Sequence, residues 1–209
     1  MSKSQNPLTG QMKGSMANFV TSTRNGQNEI RSKAFNPHNA NSTAQLLHRA
    51  CFKLVGDEYS TFGGIPIEGF PEGPSNQTAY NQFMAANLPN AIDKSGAEPV
   101  LIYSKLVLSN GTLPQVVVTE GTITATGISI SYQTNVKIPK VSADDEVVVV
   151  AKTQIGELLF EKKVRGDARI STIEIDYAGI KAADLQCCYL FVRSADGTRA
   201  SKSVYVPFE

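Results

Sequence analysis

The 209-residue chain has no tryptophan, only three cysteines and no long hydrophobic run. Three cysteines, at positions 51, 187 and 188, cannot all pair, so the sequence predicts no disulfide framework and favours a reducing compartment. The longest aliphatic run, 147–151, is far shorter than the ~20 residues that span a bilayer. The polar first fourteen residues lack the apolar core of a secretory signal. We therefore expect neither secretion nor a membrane partner.

The signatures of enzyme and cofactor chemistry are also missing. The sequence contains no C-x-x-C, H-E-x-x-H or G-x-x-x-x-G-K-[ST] spacing, and no G-x-G-x-x-G after a strand. The two histidines, His38 and His48, have no carboxylate near in sequence that would orient an imidazole. We predict that the protein is not an enzyme, with no catalytic residue, no cofactor and no metal.

Two groups of side chains leave an alternative open. Cys187 and Cys188 alternate between the faces of a predicted strand, which favours small buried residues over a metal or redox site. The carboxylates Asp144, Asp145 and Glu146 are hard oxygen ligands of the kind that bind cations. A polar turn that opens the following strand is the favoured interpretation of these three.

The charge is distributed unevenly along the chain, although the net charge is only +1. Residues 1–53 contain seven basic side chains against Glu29 alone, which gives +6. Residues 54–209 contain thirteen basic and eighteen acidic side chains, which gives −5. A basic N-terminal part therefore precedes an acidic body.

Residues 1–41 are predicted to be a basic extended arm with one hairpin. Asn25-Gly26 is a strong signal for a two-residue turn, and it would pair 17–24 with 27–35. This polar segment cannot bury enough apolar surface to fold alone. An isolated hairpin must pack on something, and we favour a partner surface over the chain's own body.

Residues 42–96 are predicted to form a helical pair with a Gly/Pro-rich loop. Residues 42–45 (Ser-Thr-Ala-Gln) fit a capping box, and apolar residues at helical spacing continue to about Val55. The glycines and prolines of 56–75 predict a loop. A second amphipathic pattern runs from Tyr80 to Leu88.

Residues 97–209 show the period-two pattern of strands. The candidates are 100–108, 115–118, 122–125, 128–133, 146–153, 157–163, 171–175, 187–194 and 200–206. Asp196-Gly197 is the firmest hairpin signal. Eight or nine short strands separated by turns are typical of an immunoglobulin- or fibronectin-like β-sandwich. The predicted fold class is thus mainly β with a small α part: an extended arm with a hairpin, two helices and a C-terminal sandwich.

Several segments together resemble a known protein family. They are 14–33, Asn36-Pro37, 43–45, Arg49-Ala50, 80–83, 87–92, 103–109, Gly111, Leu113-Pro114, 194–197 and 203–206. In combination they resemble an uncharacterised family of Bacteroidetes and their phages, with a basic N-terminal segment and an immunoglobulin-like C-terminal domain. Some such proteins are similar to structural components of crAss-like phage particles, in which rings stack into a tail barrel.

The resemblance implies a non-enzymatic virion structural protein, a ring or tail-barrel subunit made in the bacterial host cytoplasm. The expected partners are further copies in a homo-oligomeric ring and neighbouring virion proteins, such as the portal or other tail rings. Arg24, Arg31, Lys33 and Phe35 are the predicted assembly interface, with the cations steering and the ring burying apolar surface.

Two alternatives from other classes stay open. A soluble immunoglobulin-like binding or adhesion module would bind glycan or protein with its sandwich loops. A DNA-associated accessory protein would place the basic arm on phosphates without sequence specificity. Few aromatic residues lie among the arm cations, which disfavours stacking on single-stranded bases.

Overall fold

The computed structural model describes residues 2–4, 12–24, 27–35, 39–71, 73, 77–96, 98–135 and 137–208. It divides into two compact units, Met1–Ser42 and Thr43–Glu209. The first unit contains four strands: β1 (Ser2–Ser4), β2 (Gly14–Met16), β3 (Phe19–Arg24) and β4 (Gln27–Ser32). They form one antiparallel sheet in the order β1-β4-β3-β2.

The predicted N-terminal hairpin is confirmed in its strand pairing. Residues 19–24 pair with 27–32, within the predicted ranges 17–24 and 27–35. The predicted turn residues, Asn25 and Gly26, lie outside the described residues. The predicted arm is thus part of a small sheet.

The second unit contains three helices and nine strands in its described residues. The helices are α1 (Thr43–Thr61), α2 (Ile65–Gly69) and α3 (Ala79–Asn87). The strands are β5 (Ile92–Asp93), β6 (Val100–Leu101), β7 (Val117–Ile123), β8 (Gly127–Gln133), β9 (Glu146–Thr153), β10 (Leu158–Val164), β11 (Ile170–Asp176), β12 (Leu185–Arg193) and β13 (Val204–Tyr205).

Helix α1 is longer than the sequence predicts. Its buried residues Cys51, Val55 and Glu58 recur at helical spacing, and this stripe continues past the predicted end at Val55. The helix stops before Gly63, whose φ of +57° is the left-handed conformation that glycine adopts after helices. The predicted loop at 56–75 is therefore wrong in part, since it also contains α2.

Helix α3 agrees with the second predicted helix. Thr78 caps its N-terminus, because the Thr78 hydroxyl accepts a hydrogen bond from the Asn81 amide at 3.2 Å. Phe83, Met84 and Asn87 are its buried residues. The helix thus faces the core with the residues that the amphipathic pattern places there.

The predicted strand at 100–108 is wrong. Strand β6 ends at Leu101, and a 3₁₀ turn follows at Tyr103–Lys105. The buried Asn87 side chain hydrogen-bonds both backbone groups of Val107. Its oxygen accepts from the Val107 amide at 2.7 Å, and its nitrogen donates to the Val107 carbonyl at 2.9 Å. A side chain replaces the neighbouring strand here, so no ladder forms.

The later strands follow the predicted pattern, except that the predicted strand 200–206 is only the two-residue β13, with isolated bridges at Ala200 and Ser201. Strand β9 has the predicted bounds, whereas the predicted strands 115–118 and 122–125 are one strand, β7, with an irregularity between Val118 and Glu120. The Asp196-Gly197 hairpin is confirmed, since Arg193 bridges Ala200 across it. Hydrogen bonds from Ser194 and Thr198 lower the pKa of Asp196 to about 2, so the turn carries a carboxylate at neutral pH.

Three layers build the second unit. One antiparallel sheet has the order β10-β9-β12-β13 and another has the order β11-β8-β7. Val147, Val149 and Leu190 pack into the core between the two sheets, and Val148 and Tyr189 pack with the helices on the other side. Strands β9 and β12 are therefore buried on both faces. The mainly β class with a small helical part is confirmed, and the helices share a core with the sheet.

In the part of the chain that the structure describes, no helix combines the length and the apolar character that crossing a membrane requires.

Candidate assembly surface

The register of the N-terminal sheet separates its side chains into two faces. Met16 lies opposite Phe19, and Thr21 lies opposite Ile30, while Val20 lies opposite Arg31. Since side chains alternate along a strand, Met16, Phe19 and Ile30 share one face. The other face carries Val20 and Arg31. The first of these is called the apolar face below.

No apolar side chain of this unit is buried among its described residues. Its buried residues are Thr21 and Asn28, both polar. Met16 is 63% exposed and Phe19 is 51% exposed. As far as its described residues show, the sheet therefore has backbone pairing without a hydrophobic core of its own.

Polar contacts hold the strands together instead. The Asn28 side-chain oxygen accepts a hydrogen bond from the Met12 amide at 3.1 Å and another from the Thr23 hydroxyl at 2.7 Å. The Thr21 hydroxyl donates to the Gly14 carbonyl at 3.1 Å. Such bonds contribute only about 0.5–1.5 kcal/mol each in water. They fix the strand register, and they are too weak to replace a core.

The four residues predicted for the assembly interface lie in or just after this sheet. Arg24 ends β3, opposite Gln27, and Arg31 is exposed on β4. Lys33 follows β4, and its amide donates to Asn18 at 2.7 Å. Phe35 is 73% exposed. Among the described residues, neither Arg31 nor Lys33 forms an ion pair, so both cations are available to a partner.

The second unit carries a groove beside α1 that the sequence analysis did not identify. Its volume is about 800 Å³, and its lining is Thr43, Leu46, Leu47, Ala50, Lys53, Leu54, Asp57, Gly96, Glu98 and Pro99. Leu46 is 51% exposed there. In the sequence, the Leu46-Leu47 doublet with Ala50 and Leu54 widens the apolar side of the helix. This wide apolar side is the sequence feature that could have indicated the groove.

The rim of the groove is charged. Lys53 and Asp57 form an exposed ion pair at 2.8 Å on α1. Glu98 is exposed across the groove, and it has no ion-pair partner among the described residues. The groove therefore combines an apolar floor with an available carboxylate.

A buried cluster that resembles enzyme chemistry lies between α1 and the sheet. Lys152 Nζ is 2.7 Å from Glu58 Oε1, and it lies 5.5 Å from the Tyr103 ring centroid. Burial, with the charge of Glu58, raises the pKa of Tyr103 to about 12. Burial also raises the pKa of Cys187 to about 12, so its thiol is protonated at neutral pH and a poor nucleophile.

The two adjacent cysteines occupy different cores, as the sequence predicts. Cys187 packs with the helices, and Cys188 packs between the two sheets. Both are buried and free. Burial raises the pKa of Cys188 as well. Both behave as small apolar residues of a strand.

Two of the three carboxylates in the acidic triplet lie near cations of the protein itself. Asp145 accepts a hydrogen bond from the Ser142 amide at 2.9 Å and lies 3.6 Å from the guanidinium of the buried Arg165. Glu146 lies 3.8 Å from Arg193. This agrees with a polar turn that opens β9. No group of metal-ligating side chains is found in the described ranges.

The two histidines give no catalytic arrangement in the residues that the structure covers. His48 is exposed on α1, and its ring centroid lies 5.7 Å from that of Phe52. His38 lies outside the described residues. The side chains with the strongest indication of a role are therefore exposed ones: the apolar face, the segment 33–35 and the α1 groove.

Comparison with known proteins places the chain in a family. No curated protein and no solved structure matches it. The model of a family of unknown function, DUF6266, matches residues 11–207. This match covers β2 to β4 of the N-terminal sheet and residues 43–207 of the second unit. The chain belongs to this family of unknown function.

Proposed function

We propose that the protein is a non-enzymatic structural subunit that associates with copies of itself through its N-terminal unit. The observation that carries this proposal is a paired sheet in which none of the described apolar side chains is buried. Met16, Phe19 and Phe35 are large, apolar and exposed. Burying one such side chain contributes about 1.5–3 kcal/mol. A partner surface supplies the burial that the unit lacks.

The charge distribution supports a second copy as that partner. Residues 1–42 contain five basic side chains against Glu29, a net charge of +4. Residues 43–209 contain fifteen basic and eighteen acidic side chains, a net charge of −3. Opposite charges on the two units favour contact between the arm of one copy and the body of another. Such head-to-tail contacts close into rings when the rotation permits.

We further propose that the assembly is a ring or tail-barrel layer of a bacteriophage virion, in contact with neighbouring virion proteins. The support is the sequence resemblance described above, together with the absence of the enzyme and cofactor motif spacings from the sequence. On this proposal the protein functions within the particle. Its partners are other rings or the portal.

The second unit is proposed to be an immunoglobulin- or fibronectin-like sandwich. Lettered A to G in chain order, β7 to β13 give one sheet E-B-A and another D-C-F-G. The constant-type immunoglobulin arrangement is A-B-E-D with C-F-G. Six of the seven strands thus lie in the corresponding sheets, and only β10 changes sheet.

Light scattering on two chains tests the assembly proposal: the full protein and a variant without residues 1–42. The shorter chain keeps the whole core of the second unit. We expect the full chain to form oligomers at high concentration, and the shortened chain to stay monomeric. A full chain that is monomeric even with neighbouring virion proteins present would contradict the proposal, as would a shortened chain that still forms oligomers.

A binding module is the second candidate, and one observation favours it. A cavity of about 380 Å³ lies at one end of the two sheets. It is lined by Gln133, Thr134, Asn135, Lys137, Ile138, Asp167 and Arg169. Loops at the ends of such sandwiches hold ligands in other proteins. A stable monomer that binds an acidic saccharide through Lys137 and Arg169 would favour this candidate.

A further inference from the structure

The segment that follows β4 presents a cation and an aromatic ring two residues apart. Lys33 and Phe35 are both exposed. Residues 33 and 34 have no regular secondary structure and Phe35 lies at a bend, so the two exposed side chains stand only two positions apart on an irregular segment. The segment can therefore offer a partner one positive charge and one large apolar group together.

The α1 groove has the complementary features. Leu46, Leu47 and Leu54 give it an apolar floor, and Glu98 gives its rim a carboxylate without an ion-pair partner in the described residues. From Thr43 to Asp57 the helix rises about 21 Å. An extended peptide of about six residues has the same length.

We infer that the groove beside α1 binds the segment around Lys33 and Phe35 of a second copy, with Phe35 on the leucine floor and Lys33 beside Glu98. This inference rests on the proposed function and names the receptor surface for the arm. Each copy donates one segment and accepts one. The contact is heterologous, so copies add head to tail.

The Lys53–Asp57 pair fits the same arrangement. Both side chains stand on the groove rim, with 79% and 66% of their surface exposed. In this arrangement Asp57 lies near Lys33 of the second copy, and the ion pair with Lys53 holds the Asp57 carboxylate in position. The apolar floor supplies burial, and the rim supplies orientation.

A complementation experiment tests the inference. Phe35→Ser removes the ring and leaves the groove intact, whereas Leu46→Glu blocks the groove and leaves the segment intact. Each variant alone is expected to be monomeric by light scattering. A 1:1 mixture is expected to give a species of about twice 22.5 kDa, because one functional joint remains per pair. Phe52→Glu is the matched control: Phe52 is 41% exposed on the same helix and does not line the groove.

Charge reversal gives a second, independent readout. Lys33→Glu and Glu98→Lys are each expected to weaken association at least fivefold, and the double variant is expected to recover it. Circular dichroism and thermal unfolding of every variant must match the parent, since all five sites are exposed. If Leu46→Glu misfolds, the charge pair alone decides.

The outcomes separate this inference from the proposed function. If deleting residues 1–42 abolishes assembly but Leu46→Glu and Glu98→Lys assemble normally, the groove is not the receptor, and the proposed function stands. If the two single variants fail to combine in the mixture, the inference is likewise overturned. If the deleted chain assembles like the full chain, both are wrong.

Discussion

Lys152 and Glu58 form a buried ion pair that joins the sheet to the helices. The Lys152 ammonium on β9 lies 2.7 Å from the Glu58 carboxylate on α1, and both side chains are under 10% exposed. The ammonium also lies 5.8 Å from the centroid of the Phe62 ring. Removing one charge leaves the other buried without a partner, which is costly in a medium of low dielectric constant.

Lys152→Met is therefore expected to lower the free energy of unfolding by about 3–5 kcal/mol. The double variant Lys152→Met/Glu58→Leu is expected to be more stable than Lys152→Met alone, since no charge is stranded. Lys53→Met is the control, because the Lys53–Asp57 pair has a similar distance of 2.8 Å but is exposed. It should lower the free energy of unfolding far less than Lys152→Met, because water screens an exposed pair. Urea unfolding measures all three, and equal losses at positions 152 and 53 would contradict this role.

Gly69 allows α2 to approach the segment at 108–109. A Cβ atom at Gly69 would lie 2.3 Å from the Leu108 carbonyl oxygen, and Asn110 donates to the Gly69 carbonyl at 3.0 Å. Gly69→Ala is expected to lower stability by about 1–3 kcal/mol, the cost of an overpacked core. Gly64→Ala serves as the control, because no atom lies within 4 Å of its Cβ position. Equal thermal midpoints for the two variants would show that α2 does not pack closely on the segment at 108–109.

Stability is expected to fall as the pH rises above 9. Burial raises the pKa of Cys187 from 9.0 to about 12, and that of Tyr103 from 10.0 to about 12. Between these values the unfolded chain has lost protons that the folded chain still holds, so higher pH favours unfolding. The effect approaches about 1.4 kcal/mol per pH unit for the buried Cys187. It is smaller for Tyr103, which is only partly buried.

The urea midpoint measured from pH 8 to pH 11 checks this dependence. Cys187→Ala removes one of the titrating groups and should give a shallower decline than the parent chain. A midpoint that stays constant across the range would mean that these groups are open to solvent.

The arm cations are expected to act by charge. Neutralising Arg24, Arg31 and Lys33 together with glutamine should weaken self-association, and more so at about 20 mM salt than at about 300 mM, because salt screens exposed charges. Sedimentation at both salt concentrations measures this. Neutralising Lys137, Lys140 and Arg169, which lie on the second unit, is the matched control. An equal loss in both triple variants would point to net charge alone.

Much of the fold could be predicted because local signals dominate it. Alternating apolar residues and turn glycines locate β8 to β12, and Asp196-Gly197 locates a hairpin. These signals need no knowledge of the rest of the chain. The continuous apolar run at 147–150 also predicts that β9 is buried on both faces. The helices that cover one of its faces come from a distant segment, so the layer arrangement was not evident.

The errors arose where a distant side chain decides the local structure. Asn87 occupies the backbone groups of Val107, which prevents the strand that the apolar pattern at 100–108 predicts. The candidate surface was predictable only in part. Arg31, Lys33 and Phe35 are exposed. The apolar face, however, depends on strand register, and the groove depends on the approach of Gly96, Glu98 and Pro99 to α1.

The central claim is that the N-terminal sheet becomes rigid only when it docks on another molecule. Hydrogen exchange on the full chain, at a concentration where it is monomeric and at one where it associates, tests this directly. We expect the amides of β3 and β4 to exchange rapidly in the monomer and slowly after association, while β9 and β12 stay protected throughout. Protection of β3 and β4 in the monomer equal to that of β9 and β12 would contradict the claim.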